Sequence, residues 1–186
     1  MKVLVVYGTT EGQTRKIARF VADNLQRSGD KVTLLDATEA AWDLWLGEYD
    51  AAILAASIHA GQYQSAIVRF ARRHYERLNQ MPSMFISVSL SAADKDPEAL
   101  KSIARCADDL AHISGWKAEV KHVAGAFRFT EYDFFKRWVM KLAAWEKGVK
   151  ASAKDGDLEL TDWAQVNEIV NTYRQRALAH CDSNRA

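Results

Sequence analysis

The chain opens on Lys2-Val3-Leu4-Val5-Val6-Tyr7, an unbroken apolar run rich in β-branched residues, followed at once by a polar loop and an amphipathic stretch. A strand that is apolar on both faces must be covered on both faces, which is the situation inside a parallel sheet. Beyond the loop, Ile17, Ala18, Phe20, Val21 and Leu25 recur at helical spacing and would lay one apolar face onto that sheet. Strand, loop and helix in that order predict an α/β architecture. The loop itself is Gly8-Thr9-Thr10-Glu11-Gly12-Gln13-Thr14. Three threonine hydroxyls, glycine for a tight turn and the free amides of a helix start together make a cradle for a phosphate at the carboxyl edge of strand one. The plainer alternative is a strand-to-helix turn with a good N-cap, which seldom needs so many hydroxyls.

Two familiar phosphate loops fail against the letters. A Walker loop counted from Gly8 needs its second glycine at position 13 and its lysine at position 14, and Gln13 and Thr14 stand in those places. The Rossmann fingerprint needs three glycines at fixed offsets, and only Gly8 and Gly12 are present. A hydroxyl-lined loop with no lysine remains. Thr9, Thr10, Gly12 and Thr14 resemble the flavodoxin pattern Thr/Ser-x-Thr-Gly-x-Thr, with the middle threonine displaced. That resemblance implies a phosphate of FMN held by Thr9, Thr10, Glu11, Gly12, Gln13 and Thr14.

At 186 residues and 48% hydrophobic content, the chain is expected to form one domain over 1–179 with a sizeable core and a polar tail at 180–186. A formal net charge of +1 gives no global electrostatic signature, so no nucleic-acid partner is implied. Cys106 and Cys181 lie far apart, as expected of reduced thiols in the cytoplasm, and no metal site is indicated. The apolar start is too short for a signal peptide, and no run approaches the roughly 18 apolar residues of a membrane span. Any membrane contact is expected to be peripheral.

Strands and helices alternate along the chain. Lys31 to Leu35 reads as strand two, the Trp42 and Trp45 region as a short connecting helix, and Ala51 to Ala56 as strand three. Gln64 to Asn79 carries Ile67, Val68, Phe70, Ala71 and Leu78 on one side, with Arg69, Arg72 and Arg73 largely opposite. Met84 to Val88 supplies strand four, a helix runs from Pro97 towards Ser114-Gly115, and Ala118 to Ala124 supplies strand five. Thr161 and Asp162 start a last helix that frays after about Ala179. The expectation is a five-stranded, doubly wound parallel sheet with helices on both faces.

In such a sheet ligands gather at the carboxyl ends of the strands where the strand order reverses. The loops after strands one, three and four should therefore meet. Ser57-Ile58-His59-Ala60-Gly61-Gln62-Tyr63 offers backbone freedom and two flat side chains, His59 and Tyr63, able to stack on a flavin ring. Ser87-Val88-Ser89-Leu90-Ser91 offers amides and hydroxyls for the polar edge of that ring. Read singly, His59 is equally a solvated loop histidine, Tyr63 a helix-start residue packed on its own first turn, and the serines simple turn-formers.

A second unusual region spans about 127–157, an insertion at strand five that exceeds an ordinary connection. Phe134, Phe135, Trp138, Val139, Leu142 and Trp145 fall on one face of a helical pattern, and Lys136, Arg137 and Lys141 fall opposite. Aromatic residues facing lysine and arginine are the composition of an element lying in a membrane interface. Anionic lipid would add about 1 kcal/mol for each basic residue near the surface. A helix packed on its own domain, or on a second subunit in a homo-oligomer, has the same composition.

Over nearly its whole length the chain resembles the flavodoxin-like, quinone-linked protoporphyrinogen IX dehydrogenases. The likeness rests on Gly12-Gln13-Thr14-Arg15 with Ile17-Ala18, on Ala56-Ser57-Ile58 with Gly61 and Tyr63, and on Ser65-Ala66, Leu78-Asn79 and Met81-Pro82-Ser83. Ser87-Val88, Ala124-Gly125-Ala126 followed by Arg128, and Thr161-Asp162-Trp163 complete it. The pattern departs from the family at His59-Ala60, at Ser91 to Asp96 and at Lys147-Gly148-Val149. The resemblance implies a flavodoxin-like sheet of order 2-1-3-4-5 and FMN as cofactor. It implies oxidation of protoporphyrinogen IX in haem biosynthesis, a respiratory quinone, menaquinone or ubiquinone, as acceptor, and a peripheral place on the cytoplasmic side of the inner membrane. Ser57, Ile58, His59, Tyr63, Ser87, Val88, Ser89 and Leu90 would then face the flavin. Phe127, Arg128, Phe134, Phe135, Trp138 and Trp145 would meet substrate or membrane. No catalytic triad or carboxylate pair is evident, and a flavin enzyme needs none. An electron-carrier flavodoxin, an NAD(P)H:quinone reductase and a flavin-free interaction module are the other readings the letters allow.

Overall fold

β1 (Lys2–Gly8) runs between β2 (Lys31–Asp36) and β3 (Ala51–His59), parallel to both, with Val3 level with Val32 and Ala51. The structure, a computed structural model, describes residues 1–41, 43–93, 96–128 and 157–183. β3 pairs in turn with β5 (Ser83–Ser89) and β5 with β6 (Glu119–Ala124), so the parallel sheet has the order β2-β1-β3-β5-β6. This is the expected 2-1-3-4-5 arrangement. The numbering shifts because a short β4 (Gln62–Tyr63) folds back antiparallel on the end of β3.

Alternation along β1 explains why it is apolar throughout. Leu4 and Val6 face one core with Ile67 and Phe70 of α2 (Ser65–Gln80) and Leu110 of α3 (Pro97–Ser114). Val3 and Val5 face the other, with Ile17 and Val21 of α1 (Gln13–Arg27) and Val166 and Val170 of α4 (Trp163–Ser183). Each such side chain withdrawn from water contributes about 1.5–3 kcal/mol. The helix boundaries follow local chemistry. Asp96 caps α3 by accepting from the Glu98 amide at 3.1 Å ahead of Pro97, and Gly115 ends it at φ 77°. Asp162 accepts from the amides of Ala164 and Gln165, each at 3.0 Å, where the sequence puts the start of α4.

Three expectations change. Between β2 and β3 the Trp45 region forms a single 3₁₀ turn, Leu46–Glu48, with Trp45 extended and 74% exposed, and Trp42 lies outside the described residues. Leu44 and Leu46 both turn towards the core on either side of the extended Trp45, which faces away from it. β3 runs on to His59 because Ile58 pairs with Tyr63, which turns the expected loop into a hairpin around Ala60 and Gly61. The last helix persists to Ser183, past the expected fraying point at Ala179, and takes Cys181 with it. The inserted segment from Phe134 to Trp145 also lies outside the described residues.

Tyr173 of α4 ties distant parts of the chain together. Its buried hydroxyl lies 2.9 Å from the Ala52 carbonyl oxygen and 2.8 Å from that of Pro82, and burial pushes the phenol well above its ordinary pKa. Tyr173→Phe leaves both carbonyls without this donor and keeps the ring. The expected outcome is a loss of about 1–3 kcal/mol in urea unfolding, with no change in the secondary-structure signal of the native state.

Candidate functional site

Strand order reverses at β1 and β3, and the carboxyl ends of β1, β3 and β5 converge there on a cleft of about 200 Å³. Thr9, Thr10, Glu11, Gln13 and Thr14 form one wall. Ser57, Ile58 and His59 form the second, and Val88, Ser89 and Leu90 the third. Gly125 and Ala126, just past β6, close the remaining side. The sequence thus named three of the four walls.

The loop after β1 has the features of an anion cradle. Gly12 adopts φ 92°, a conformation that costs other residues about 1–2 kcal/mol, and no side chain caps the helix that follows. The first amides of α1 therefore have no side-chain acceptor, at the edge of the cleft that Gln13 and Thr14 line. Thr9 Oγ1 accepts from the Gly12 amide at 2.9 Å, leaving its own proton to donate elsewhere. Thr14 is decisive. It is only 1% exposed, and its Oγ1 has no hydrogen-bond partner among the described residues. A buried hydroxyl without a partner costs about 1–3 kcal/mol, and a phosphate oxygen at the helix start relieves that cost.

Two glutamines brace this loop, and neither role is visible in the letters. Gln64, immediately before α2, donates through Nε2 to Thr10 Oγ1 at 3.0 Å and to Ser57 Oγ at 2.7 Å. Both hydroxyl oxygens act as acceptors, so both hydroxyl protons remain available to a ligand. Gly8 permits this approach, because a Cβ there would meet Gln64 and Ile67 at 3.2–3.3 Å. Gln13 donates through Nε2 to Glu159 Oε1 at 3.0 Å and to Thr161 Oγ1 at 2.9 Å. Thr161 in turn donates to the Ala124 carbonyl at 2.8 Å. Glu159 belongs to β8 (Asp157–Glu159), which pairs antiparallel with β7 (Ala126–Arg128). The neck of the insertion is thereby fixed to the first turn of α1, beside the cleft.

Two of the expected flavin contacts are placed elsewhere. Tyr63 is buried, its ring set edge-on to Phe85 at 4.9 Å, and its hydroxyl is 2.8 Å from Ser87 Oγ. Burial pushes this phenol up to about 12. Neither Tyr63 nor the fully buried Ser87 lines the cleft, because the hairpin that pairs Tyr63 with Ile58 turns its ring into the core. His59 does reach the cleft, at the last position of β3 before a turn with positive φ at both Ala60 (49°) and Gly61 (77°). Ser89 lines the cleft and also turns the chain, its Oγ accepting from the Ala92 amide at 3.1 Å. The backbone of Phe127 and Arg128 lies in β7, next to the Ala126 wall.

A family model described as flavodoxin domain matches residues 4–154. The protoporphyrinogen IX dehydrogenase (quinone) of Escherichia coli strain K12 is 32% identical over 184 residues, spanning 97% of this chain and 96% of that protein. The chain belongs to the flavodoxin domain family, among the relatives of that dehydrogenase. A Leishmania major protein of the same name is 30% identical over 187 residues, spanning 96% of this chain and 77% of that protein. A short-chain flavodoxin associated with a PDU bacterial microcompartment has the same fold, with a TM-score of 0.55 at 14% identity and coverage of 95% and 99%. The convergence of the β1, β3 and β5 ends is thus the ligand edge of a flavodoxin-like sheet.

Two outcomes follow from the flavodoxin cradle. Thr14→Val removes a partnerless hydroxyl from the ligand-free protein, so its unfolding free energy stays level or rises by up to about 1 kcal/mol. The same change weakens FMN about tenfold in a fluorescence-quenching titration, while riboflavin, which lacks the phosphate, is affected less. Gln64→Met keeps the side chain's length but removes the donors to Thr10 and Ser57. FMN and riboflavin should then both lose about tenfold, because the brace serves the loop after β3 as well as the phosphate end.

Proposed function

We propose that this chain is an FMN-dependent dehydrogenase that oxidises protoporphyrinogen IX to protoporphyrin IX and passes the electrons to a respiratory quinone, in haem biosynthesis. The observation that carries the reading is the partnerless, buried Thr14 hydroxyl beside an uncapped helix start at the strand-order reversal. Its support from kinship is the full-length similarity to a dehydrogenase of that name.

FMN supplies the redox chemistry when bound; the protein holds and orients it. Thr9, Thr10 and Thr14, with the amides of α1, hold the phosphate through uncharged donors. Ser57, Ile58 and His59 on one wall and Val88, Ser89 and Leu90 on another would hold the flavin between them, with Gly125 and Ala126 closing the cleft. Ser57, Ile58, Val88, Ser89 and Leu90 are apolar or hydroxylic, and Glu11 is the one carboxylate among the described lining residues of the cleft. Phe127 and Arg128, on the neck of the insertion, serve the substrate mouth, where a cation attracts the propionates of the porphyrinogen.

The insertion supplies the acceptor's route. Phe134, Phe135, Trp138 and Trp145 interleaved with Lys136, Arg137 and Lys141 suit an anionic membrane surface, where a quinone resides. Among the described residues no helix is long and apolar enough to cross a membrane. The protein then works as a peripheral enzyme on the cytoplasmic side of the inner membrane, with the base of the insertion anchored to the flavin cleft through Glu159 and Gln13.

Purified protein loaded with FMN should convert protoporphyrinogen to fluorescent protoporphyrin under anaerobic conditions only when a menaquinone or ubiquinone analogue is supplied. Full flavin loading without such turnover overturns the substrate assignment. Deleting Phe134 to Trp145 should abolish co-sedimentation with anionic vesicles and depress quinone turnover while FMN stays bound. Unaltered vesicle binding overturns the membrane role.

A further inference from the structure

The flavin cleft is not the largest hollow among the described residues. A cavity of about 450 Å³ lies between the chain that leaves β2, at Ala37 to Ala41, and the outer side of α2, from Ala66 to His74. It shares no lining residue with the flavin cleft. Its volume falls within the range of small-molecule sites.

The lining divides by chemistry. Ala37, Ala40, Ala41, Ala66 and Phe70 give small or flat apolar surfaces, which suit a flat ligand body. Arg69, Arg72 and Arg73, all exposed, stand about one turn apart along α2 on the same cavity, and its described lining residues include no carboxylate. Arg69 also donates through Nη1 to Ser65 Oγ at 3.0 Å, which fixes its stem at the start of the helix. Guanidinium groups bind carboxylates and phosphates through paired hydrogen bonds, so three of them around one cavity select for anions. His74 completes the wall with its ring tilted on Phe70 at 4.6 Å, and burial and the nearby Arg73 charge both lower its pKa.

We propose that this cavity is a second binding site, for a small organic anion that carries two acidic groups on a flat apolar body. Two sources share that chemistry, a tetrapyrrole with its propionates and a nucleotide with two phosphates. The site is separate from the flavin reading: among the described residues none of α2 lines the flavin cleft, whereas the cavity takes one wall from Ala66 to His74 of that helix.

The test uses the full chain saturated with FMN, titrated at low salt by calorimetry with protoporphyrin IX, its dimethyl ester and adenosine 2′,5′-bisphosphate. One of the two dianions should bind, and the Arg69→Gln/Arg72→Gln/Arg73→Gln protein should bind it at least tenfold more weakly. Replacing the three arginines by lysine should recover part of the loss. Arginine-dependent binding of protoporphyrin, with none of the ester, assigns the tetrapyrrole; arginine-dependent binding of the bisphosphate alone assigns the nucleotide. The flavin absorbance of the glutamine variant should match the parent, which shows a folded protein with its flavin site intact. Binding of neither dianion, equal binding of the ester, or undiminished binding by the folded variant overturns the proposal.

Discussion

Everything in this molecule depends on β1 being buried on both sides and paired on both edges. A strand in that position can only be followed by a crossover, and α1 and α2 cross on opposite faces of the sheet. The loops after β1 and β3 must then part at the carboxyl edge and leave a crevice between them. The helix that covers β1 necessarily begins in that crevice, and its unmet amides face whatever enters. The position of the site therefore follows from burial of Leu4, Val5 and Val6 before any functional residue is considered.

What the letters reveal and what they hide divide along the same physical line. β1, β5 and α2 are legible because their apolar periodicity is strong and local. The phosphate loop is legible because its threonines and glycines are contiguous. The Trp45 segment reads as a short helix because tryptophans at a spacing of three imitate a helical face, while the structure keeps only a 3₁₀ turn at Leu46–Glu48 and buries Leu46 instead of Trp45. An aromatic residue in a ligand loop suggests stacking, which is why the letters put Tyr63 against the flavin. Its real neighbours, Phe85 and Ser87, lie on another strand, and the antiparallel return of β4 that joins them is only two residues long.

The bracing glutamines were illegible for a different reason. A glutamine has no preferred place in a sequence pattern, and its meaning lies in what it reaches. Gln64 reaches across to a loop 54 residues away, and Gln13 to a strand 146 residues away. No spacing rule carries contacts of that range. The nearest signals were negative ones: a loop with no lysine must be held by something, and a helix start at Gly12 with no capping side chain must be covered by something.

These long contacts also decide how the insertion relates to the chemistry. Glu159 on β8 and Ala126 on β7 occupy one register pair, so a single rung of that small sheet touches both Gln13 and the cleft wall. A phosphate drawn to the α1 amides sits on the helix whose first residue holds that rung. Lys16 lies 4.0 Å from the Glu159 carboxylate and offsets its charge close to the anion site. The carboxylate thus accepts from Gln13 on one oxygen and is approached by Lys16 on the other, at the edge of the phosphate cradle.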